Sequence, residues 1–306
     1  MLGIAMKTEN TAQSVPAEQK SLLRLMACVL FCFVALVSCS DSSPSQPEKI
    51  RVAVLPDQSS SILLSRYGPF LEYLEQETGV DFELYVPTSY EEAIRVFVEG
   101  QAELAFFGGL SFLRVQALSG AVPLAMRDID ARFTSVFLAD ADSPFSGIED
   151  YRDKSFSFGS RTSTSGHLMP RFFLSGLNIE PETFFGAVDY SGAHDKTIYA
   201  VRDNNAALGA ANARTYVNMI ADGRIEAGSM KVIWETPPYS DYVWVVQPTI
   251  SKPFRKILLE AFIKLDQADP TQKKILNLLD AGSFLPASMA DFAELKKIAQ
   301  SLQLLE

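Results

Sequence analysis

The sequence predicts an α/β protein of two lobes, with mostly parallel sheets and two crossover strands between the lobes. Three features carry that expectation. From Lys49 onward, short apolar runs alternate with stretches whose apolar residues recur at helical spacing, as in strands buried between helices. Two longer extended segments, 133–140 (FTSVFLAD) and 242–247 (YVWVVQ), interrupt the alternation and read as strands passing from one lobe to the other. The tail behind them, 253–305, reads as wholly helical and folds back on the first lobe.

The elements follow in order. Residues 50–55 (IRVAVL) form a strand, and 62–78 a helix stopped at Gly79. A strand at 81–86 leads to a helix at 90–99 closed by Gly100, and the strand 102–107 ends in Gly108-Gly109 before a helix reaching residue 118. The second unit repeats the scheme with strands at 133–139, 154–158, 187–190 and 206–210 and helices at 166–177 and 195–202. The expected organisation is a leader at 1–38, a tether at 39–48, a discontinuous first lobe of 49–137 with 243–306, and a second lobe of 138–242.

The leader has its own signature. Lys20 and Arg24 precede the apolar run 26–37, which is too short to span a bilayer comfortably, so it reads as a signal peptide. It ends in Leu36-Val37-Ser38-Cys39, which resembles a bacterial lipobox, and Ser40 to Pro47 (SDSSPSQP) reads as a flexible tether. Cys39 is therefore the expected lipidation site, on the periplasmic side of a bacterial membrane. Ser40 rather than Asp follows it, which favours the outer membrane over the inner one.

Composition narrows the function. The 27 Lys and Arg against 37 Asp and Glu give a formal net charge of −10. Residues 1–38 hold three basic and two acidic side chains, so their removal leaves −11. That balance speaks against nucleic acid, whose phosphates are neutralised by Lys and Arg. The cysteines, Cys28, Cys32 and Cys39, all lie in the first 39 residues, and there are two histidines. The body therefore has no disulfide framework or thiol nucleophile, and no metal or other cofactor is expected.

The segment 159–170 (GSRTSTSGHLMP) is the most informative. Five hydroxyl residues, Ser160, Thr162, Ser163, Thr164 and Ser165, stand between a strand and a helix. A helix start carries unpaired N–H groups and partial positive charge, so this turn suits an oxyanion without any Lys or Arg. One hydroxyl would suffice for capping. His194 and Asp195 lie at a second strand-to-helix turn, on the sheet edge where open α/β proteins bind ligands. Tyr90 and Phe106-Phe107 lie at corresponding ends in the first lobe, with Phe106 expected in the core. His167 is expected as a partly exposed helix-start residue rather than a ligand. A Ser163/His194/Asp195 hydrolase lacks a third group to orient the histidine, since adjacent side chains diverge. No G-x-S-x-G, H-E-x-x-H or Walker A pattern is present, so the protein is not expected to be an enzyme.

Taken together, Arg66 to Leu71 (RYGPFL), Ala105 to Phe112 (AFFGGLSF), Ser163 to Arg171 (STSGHLMPR), Ser191 to Asp195 (SGAHD) and Val232 to Val246 (VIWETPPYSDYVWVV) resemble the phosphate/phosphite/phosphonate-binding proteins of ABC importers. The resemblance implies a type II periplasmic-binding fold, a monomer that closes on a small phosphorus oxyanion and docks on the permease of an ABC transporter. By position it implies ligand contacts at Tyr90, Ser163, Thr164, Ser165, His194 and Asp241. Phe107 stands where some members carry a tyrosine, and it can pack but not donate. The segment 209–214 (GAANAR) lacks the acid that aminoalkylphosphonate-binding members resemble one another in having, which implies a ligand without an amine. A sensor lipoprotein that reports occupancy to a signalling partner is the alternative from another class, and a periplasmic hydrolase built on His194 a weaker one.

Overall fold

A computed structural model describes residues 47–305. The expected leader, Cys39 and most of the tether lie outside the described residues. Among the described residues no helix is long and apolar enough to cross a membrane.

Two sheets organise the chain. The first takes β1 (Lys49–Val54), β2 (Asp81–Tyr85), β3 (Leu104–Phe107), β4 (Val122–Arg127), β10 (Val243–Val246) and β11 (Phe284–Pro286), in the order β11-β4-β10-β3-β1-β2. The second takes β5 (Ser135–Asp140), β6 (Ser155–Phe158), β7 (Ala187–Tyr190), β8 (Leu208–Asn212) and β9 (Met230–Glu235), in the order β7-β6-β8-β5-β9. β1 pairs parallel with β2 and β3, and β6 with β7 and β8. Each returning strand is inserted antiparallel inside its sheet: β10 lies between β3 and β4, and β5 between β8 and β9. The connections between the two sheets touch through an antiparallel bridge, in which Phe133 N–H donates to Tyr239 O at 2.8 Å and Tyr239 N–H to Phe133 O at 3.0 Å. Two crossovers thus run side by side.

Helices cover the sheets as the apolar spacing requires. In the first lobe these are α1 (Ser60–Thr78), α2 (Tyr90–Val98), α3 (Gly109–Ser119), α8 (Lys252–Lys264), α9 (Pro270–Leu278) and α10 (Ala293–Ser301). In the second they are α4 (Met169–Gly176), α5 (Pro181–Phe184), α6 (His194–Arg202) and α7 (Ala213–Ala221). α1 ends where Gly79 takes φ 69° and donates its N–H to Glu75 O, a left-handed cap that a Cβ would strain. The first lobe has one continuous core, where Phe70 and Trp244 meet Phe262 and Phe284 at ring separations of 5.0 to 5.8 Å. In the second, β5 separates two smaller cores: Phe137 and Ala139 join one, Val136 and Leu138 the other, by strict alternation.

Two expectations are corrected. The tail is not wholly helical, because Phe284 to Pro286 pairs with Ala125 to Arg127 of β4. β4 itself carries Pro123, which disguises a strand by removing a ladder donor; the sheet accommodates it at a register shift between Trp244 and Val245 of β10. The strand expected at 206–210 instead runs from Leu208 to Asn212, so the segment 209–214 closes β8 and opens α7, with Asn212 accepting from Thr215 N–H as the cap.

Candidate functional site

Four helix beginnings converge on one buried region: Tyr90 of α2, Gly109 of α3, Thr164 of the turn before α4, and His194 of α6 each occupy the first position of their helix. Each start brings N–H groups without intrahelical partners and the positive end of a dipole. An acidic chain can in this way build an anion-attracting spot without a cation. Arg127, the nearby guanidinium, is already held by Asp130 at 2.6 Å and lies over the rings of Phe106 and Tyr242.

The hydroxyl turn owes its shape to Pro170. In an α-helix the carbonyl of Gly166 would accept from residue 170, which has no N–H. The chain widens instead into a π turn over Thr164–Leu168, closed by Leu168 N–H on Ser163 O at 3.1 Å, and the Gly166 carbonyl accepts from Gly159 N–H at 2.8 Å. Gly159 and Gly166 then approach so closely that a Cβ on Gly166 would stand 2.9 Å from His194 Cε1 and 3.2 Å from Gly159 Cα.

The five hydroxyls divide the work. Ser160 and Thr162 face each other at 3.3 Å, and Ser163 caps the turn by accepting Gly166 N–H at 3.0 Å. Thr164 Oγ1 accepts the Leu110 N–H of α3 at 2.9 Å, across the cleft. Ser165 Oγ is buried without a hydrogen-bonding partner.

On the opposite side, Asp241 is fully buried; its Oδ1 accepts Gly109 N–H at 3.1 Å, while Oδ2 has no partner. Burial raises its carboxyl to about 7, against the pull of the Thr164 hydroxyl and the Gly109 N–H. Gly108 leaves the space this requires, since a Cβ there would meet Asp241 Oδ1 at 3.1 Å and Thr164 Oγ1 at 3.2 Å. The Tyr90 hydroxyl is also buried without a hydrogen-bonding partner, and burial raises its pKa so that it stays a donor. His194 is fully buried and pushed by desolvation to about 3, hence neutral. Its Nδ1 accepts Asn212 N–H at 3.3 Å, so the ring proton is on Nε2, 3.3 Å from the Tyr242 hydroxyl.

The structure therefore brings Tyr90, Thr164, Ser165, His194 and Asp241 to one place, with Ser163 supporting the turn. Phe107 is fully buried and packs edge-on against Phe97 at 5.6 Å, in the core behind Gly108. His167 needs correcting: it is buried, not partly exposed, with Nδ1 2.7 Å from Arg161 O and Nε2 accepting from Arg171 at 3.2 Å. Sequence reasoning passed over Asp57, Tyr242 and the bare backbone of Gly108-Gly109. Asp57 follows β1 at its carboxyl end, which is a usable signal in an open α/β sheet. Among the described residues no group of three or more His, Cys, Asp or Glu side chains could hold a metal ion.

Known proteins share this arrangement of sequence and fold. A family model described as the periplasmic substrate-binding protein of phosphonate ABC transporters matches residues 52–292. The chain is 31% identical over 276 residues to the probable ABC transporter phosphite binding protein PhnD1 of Prochlorococcus marinus (strain MIT 9301), covering 85% of this chain and 93% of that one. It is 28% identical over 228 residues to the phosphate-import protein PhnD of Mycolicibacterium smegmatis, covering 67% and 70% respectively. The solved structure of P. marinus PhnD1 in complex with methylphosphonate superposes with a TM-score of 0.80 at 28% identity, covering 84% of this chain and 99% of that one.

Proposed function

Because this chain belongs to the family of periplasmic substrate-binding proteins of phosphonate ABC transporters, we propose that it captures a small phosphorus oxyanion, such as phosphite, phosphate or a small phosphonate, and delivers it to an ABC importer. One observation carries the reading: Tyr90 Oη, Ser165 Oγ and Asp241 Oδ2 are all buried without partners beside the four helix starts. Buried polar atoms are rarely left without a partner in protein or ordered water, and three of them together support a ligand that pairs them. Tyr90, Ser165 and Thr164 donate to the oxyanion, and the His194 Nε2–H exchanges its long 3.3 Å bond to Tyr242 for one to the ligand. Asp241 shares a proton with it, so an oxyanion that can carry a P–OH is accepted and sulfate is repelled. Phe107 and the acid-free Gly209 to Arg214 stretch offer nothing to an amine.

The test is a calorimetric series with phosphite, phosphate, methylphosphonate, 2-aminoethylphosphonate and sulfate at one pH. Binding of the first three is expected, with the aminoethyl ligand weaker than methylphosphonate and no sulfate binding. Tight sulfate binding would sink the assignment. The anchored form is a lipoprotein monomer held through Cys39, and Cys39→Ala should release it from membranes or leave an unprocessed precursor. An unmodified Cys39 in the mature wild type, seen by mass spectrometry, would refute the anchor.

A further inference from the structure

Asp57 is a carboxylate placed beside an anion site, and it makes no ion pair within 4 Å among the described residues. Arg66 and Arg127, the cations whose fields reach it, are committed elsewhere, to Asp280 at 3.2 Å and Asp130 at 2.6 Å, and Asp195 repels it from α6. It caps no helix, since Ser59 occupies the cap of α1. What it does hold is the Tyr242 hydroxyl, which donates to Asp57 Oδ2 at 3.1 Å. The Asp57 carbonyl also accepts His194 N–H at 3.1 Å, so the loop after β1 reaches the first turn of α6.

Tyr242 is fixed from the first lobe: its ring stacks on Phe106 at 5.2 Å and meets Phe133 at 5.5 Å. A phenol has one proton to give. With that proton on Asp57, the Tyr242 oxygen can only accept, and the donors within reach are His194 Nε2–H at 3.3 Å and Asn212 Nδ2–H at 3.4 Å. The bonds thus run in one direction across the cleft, from Asn212 N–H to His194 Nδ1, from Nε2–H to Tyr242, and from Tyr242 to Asp57.

We infer that Asp57 is a positioning residue for oxyanion capture: by making the Tyr242 hydroxyl an acceptor it holds the His194 ring in the closed protein with Nε2–H at the edge of the pocket, on a long 3.3 Å bond that an oxyanion can take over. The inference rests on the oxyanion reading of the site. Without the Asp57 acceptor, the Tyr242 proton faces the His194 Nε2–H and Asn212 Nδ2–H donors with nothing to accept it, so the ring is no longer held in this direction, while the backbone bond from His194 to Asp57 stays.

The experiment titrates phosphite and methylphosphonate into wild type, Asp57→Ala, Asp57→Asn, Tyr242→Phe and the Asp57→Ala/Tyr242→Phe double variant, with thermal midpoints taken without ligand. Asp57→Ala should bind about tenfold more weakly. Asp57→Asn, which keeps an acceptor, should return to within about threefold of wild type. In the Tyr242→Phe background, Asp57→Ala should change affinity by less than about twofold, as expected of residues acting in one chain. Unaltered affinity in Asp57→Ala, an Asn variant as weak as Ala, or additive losses in the double variant would each overturn the inference. Wild type that binds neither ligand overturns the oxyanion reading and this inference with it, whereas wild-type binding with an indifferent Asp57 overturns the inference alone. Asp57→Ser carries the same cycle should Asp57→Ala not fold.

Discussion

Two strand-to-helix turns face each other across the cleft, and they are built alike but used differently. In the first lobe, Phe107-Gly108-Gly109 presents bare backbone, and its N–H groups are consumed by protein: Gly109 by Asp241 and Leu110 by Thr164. In the second lobe, Ser163-Thr164-Ser165-Gly166 presents hydroxyls, one of which has no partner. Both turns start helices and carry the same dipole advantage. What separates them is whether the helix start is already satisfied. The glycine turn holds Asp241 in place and receives Thr164, and the hydroxyl turn is the one proposed to meet the ligand. Their packing agrees, because Gly109 is wedged against Leu295 and Phe292, where a Cβ would stand 2.3 Å from Leu295 Cδ2. Leu168 and Met169, just past the hydroxyl turn, also join the first lobe's core.

The comparison can be broken most forcefully at Gly166. A methyl there meets the rigid His194 ring and the Gly159 backbone, so Gly166→Ala should lose about a hundredfold in phosphite affinity and about 1–3 kcal/mol in denaturant stability. Normal affinity with normal stability would show that the close approach is not required. Thr164→Ala removes the acceptor for the buried Leu110 N–H and a proposed ligand donor, and should cost about 1.5–3 kcal/mol in binding, tenfold or more by calorimetry, and about 1–3 kcal/mol in unliganded stability. Gly108→Ala pushes on Asp241 and Thr164 only by a few tenths of an ångström. We expect a loss below about tenfold, seen as faster dissociation in a stopped-flow or surface-capture measurement. An effect as large as that of Gly166→Ala would erase the distinction between the turns.

The smallest effect is a pH slope. Burial raises Asp241 to about 7 and Asp57 to about 6, both above their usual value, so each keeps a proton in the folded state that the unfolded chain has released. Their contribution to stability is full below about pH 3.8 and is lost as pH rises through about 6 to 7. Depressed to about 3, His194 works in the opposite sense, its contribution being lost as pH falls below about 6.5. The unliganded thermal midpoint of Asp241→Asn relative to wild type should therefore climb between pH 5 and about pH 8. A constant offset across that range would mean that Asp241 is not titrating from a buried position.

Much of the candidate site was legible because the elements that place it are local. A hydroxyl run between a strand and a helix announces itself in sequence, and Tyr90 and His194 lie where helices start. What was passed over depends on partners far away in the chain. Tyr242 adjoins Asp241, yet its hydrogen bonds reach Asp57, 185 residues earlier, and His194, 48 residues earlier. β11 was read as helix because three residues carry too little periodicity to declare a strand, and its pairing with β4 is a matter of what the sheet edge offers.

The sequence by itself determined the alternation of strands and helices, the placement of glycines where the backbone must come close, and the run of hydroxyls between a strand and a helix, since each is set by neighbours within a few residues. Tertiary structure alone decided that four separate helix starts share one buried point, that one glycine turn is spent on Asp241 while its hydroxyl counterpart is left open, and that burial raises the Asp241 carboxyl to about 7. Those outcomes depend on desolvation and on distances between segments far apart in the chain, and neither exists until the lobes have closed on each other.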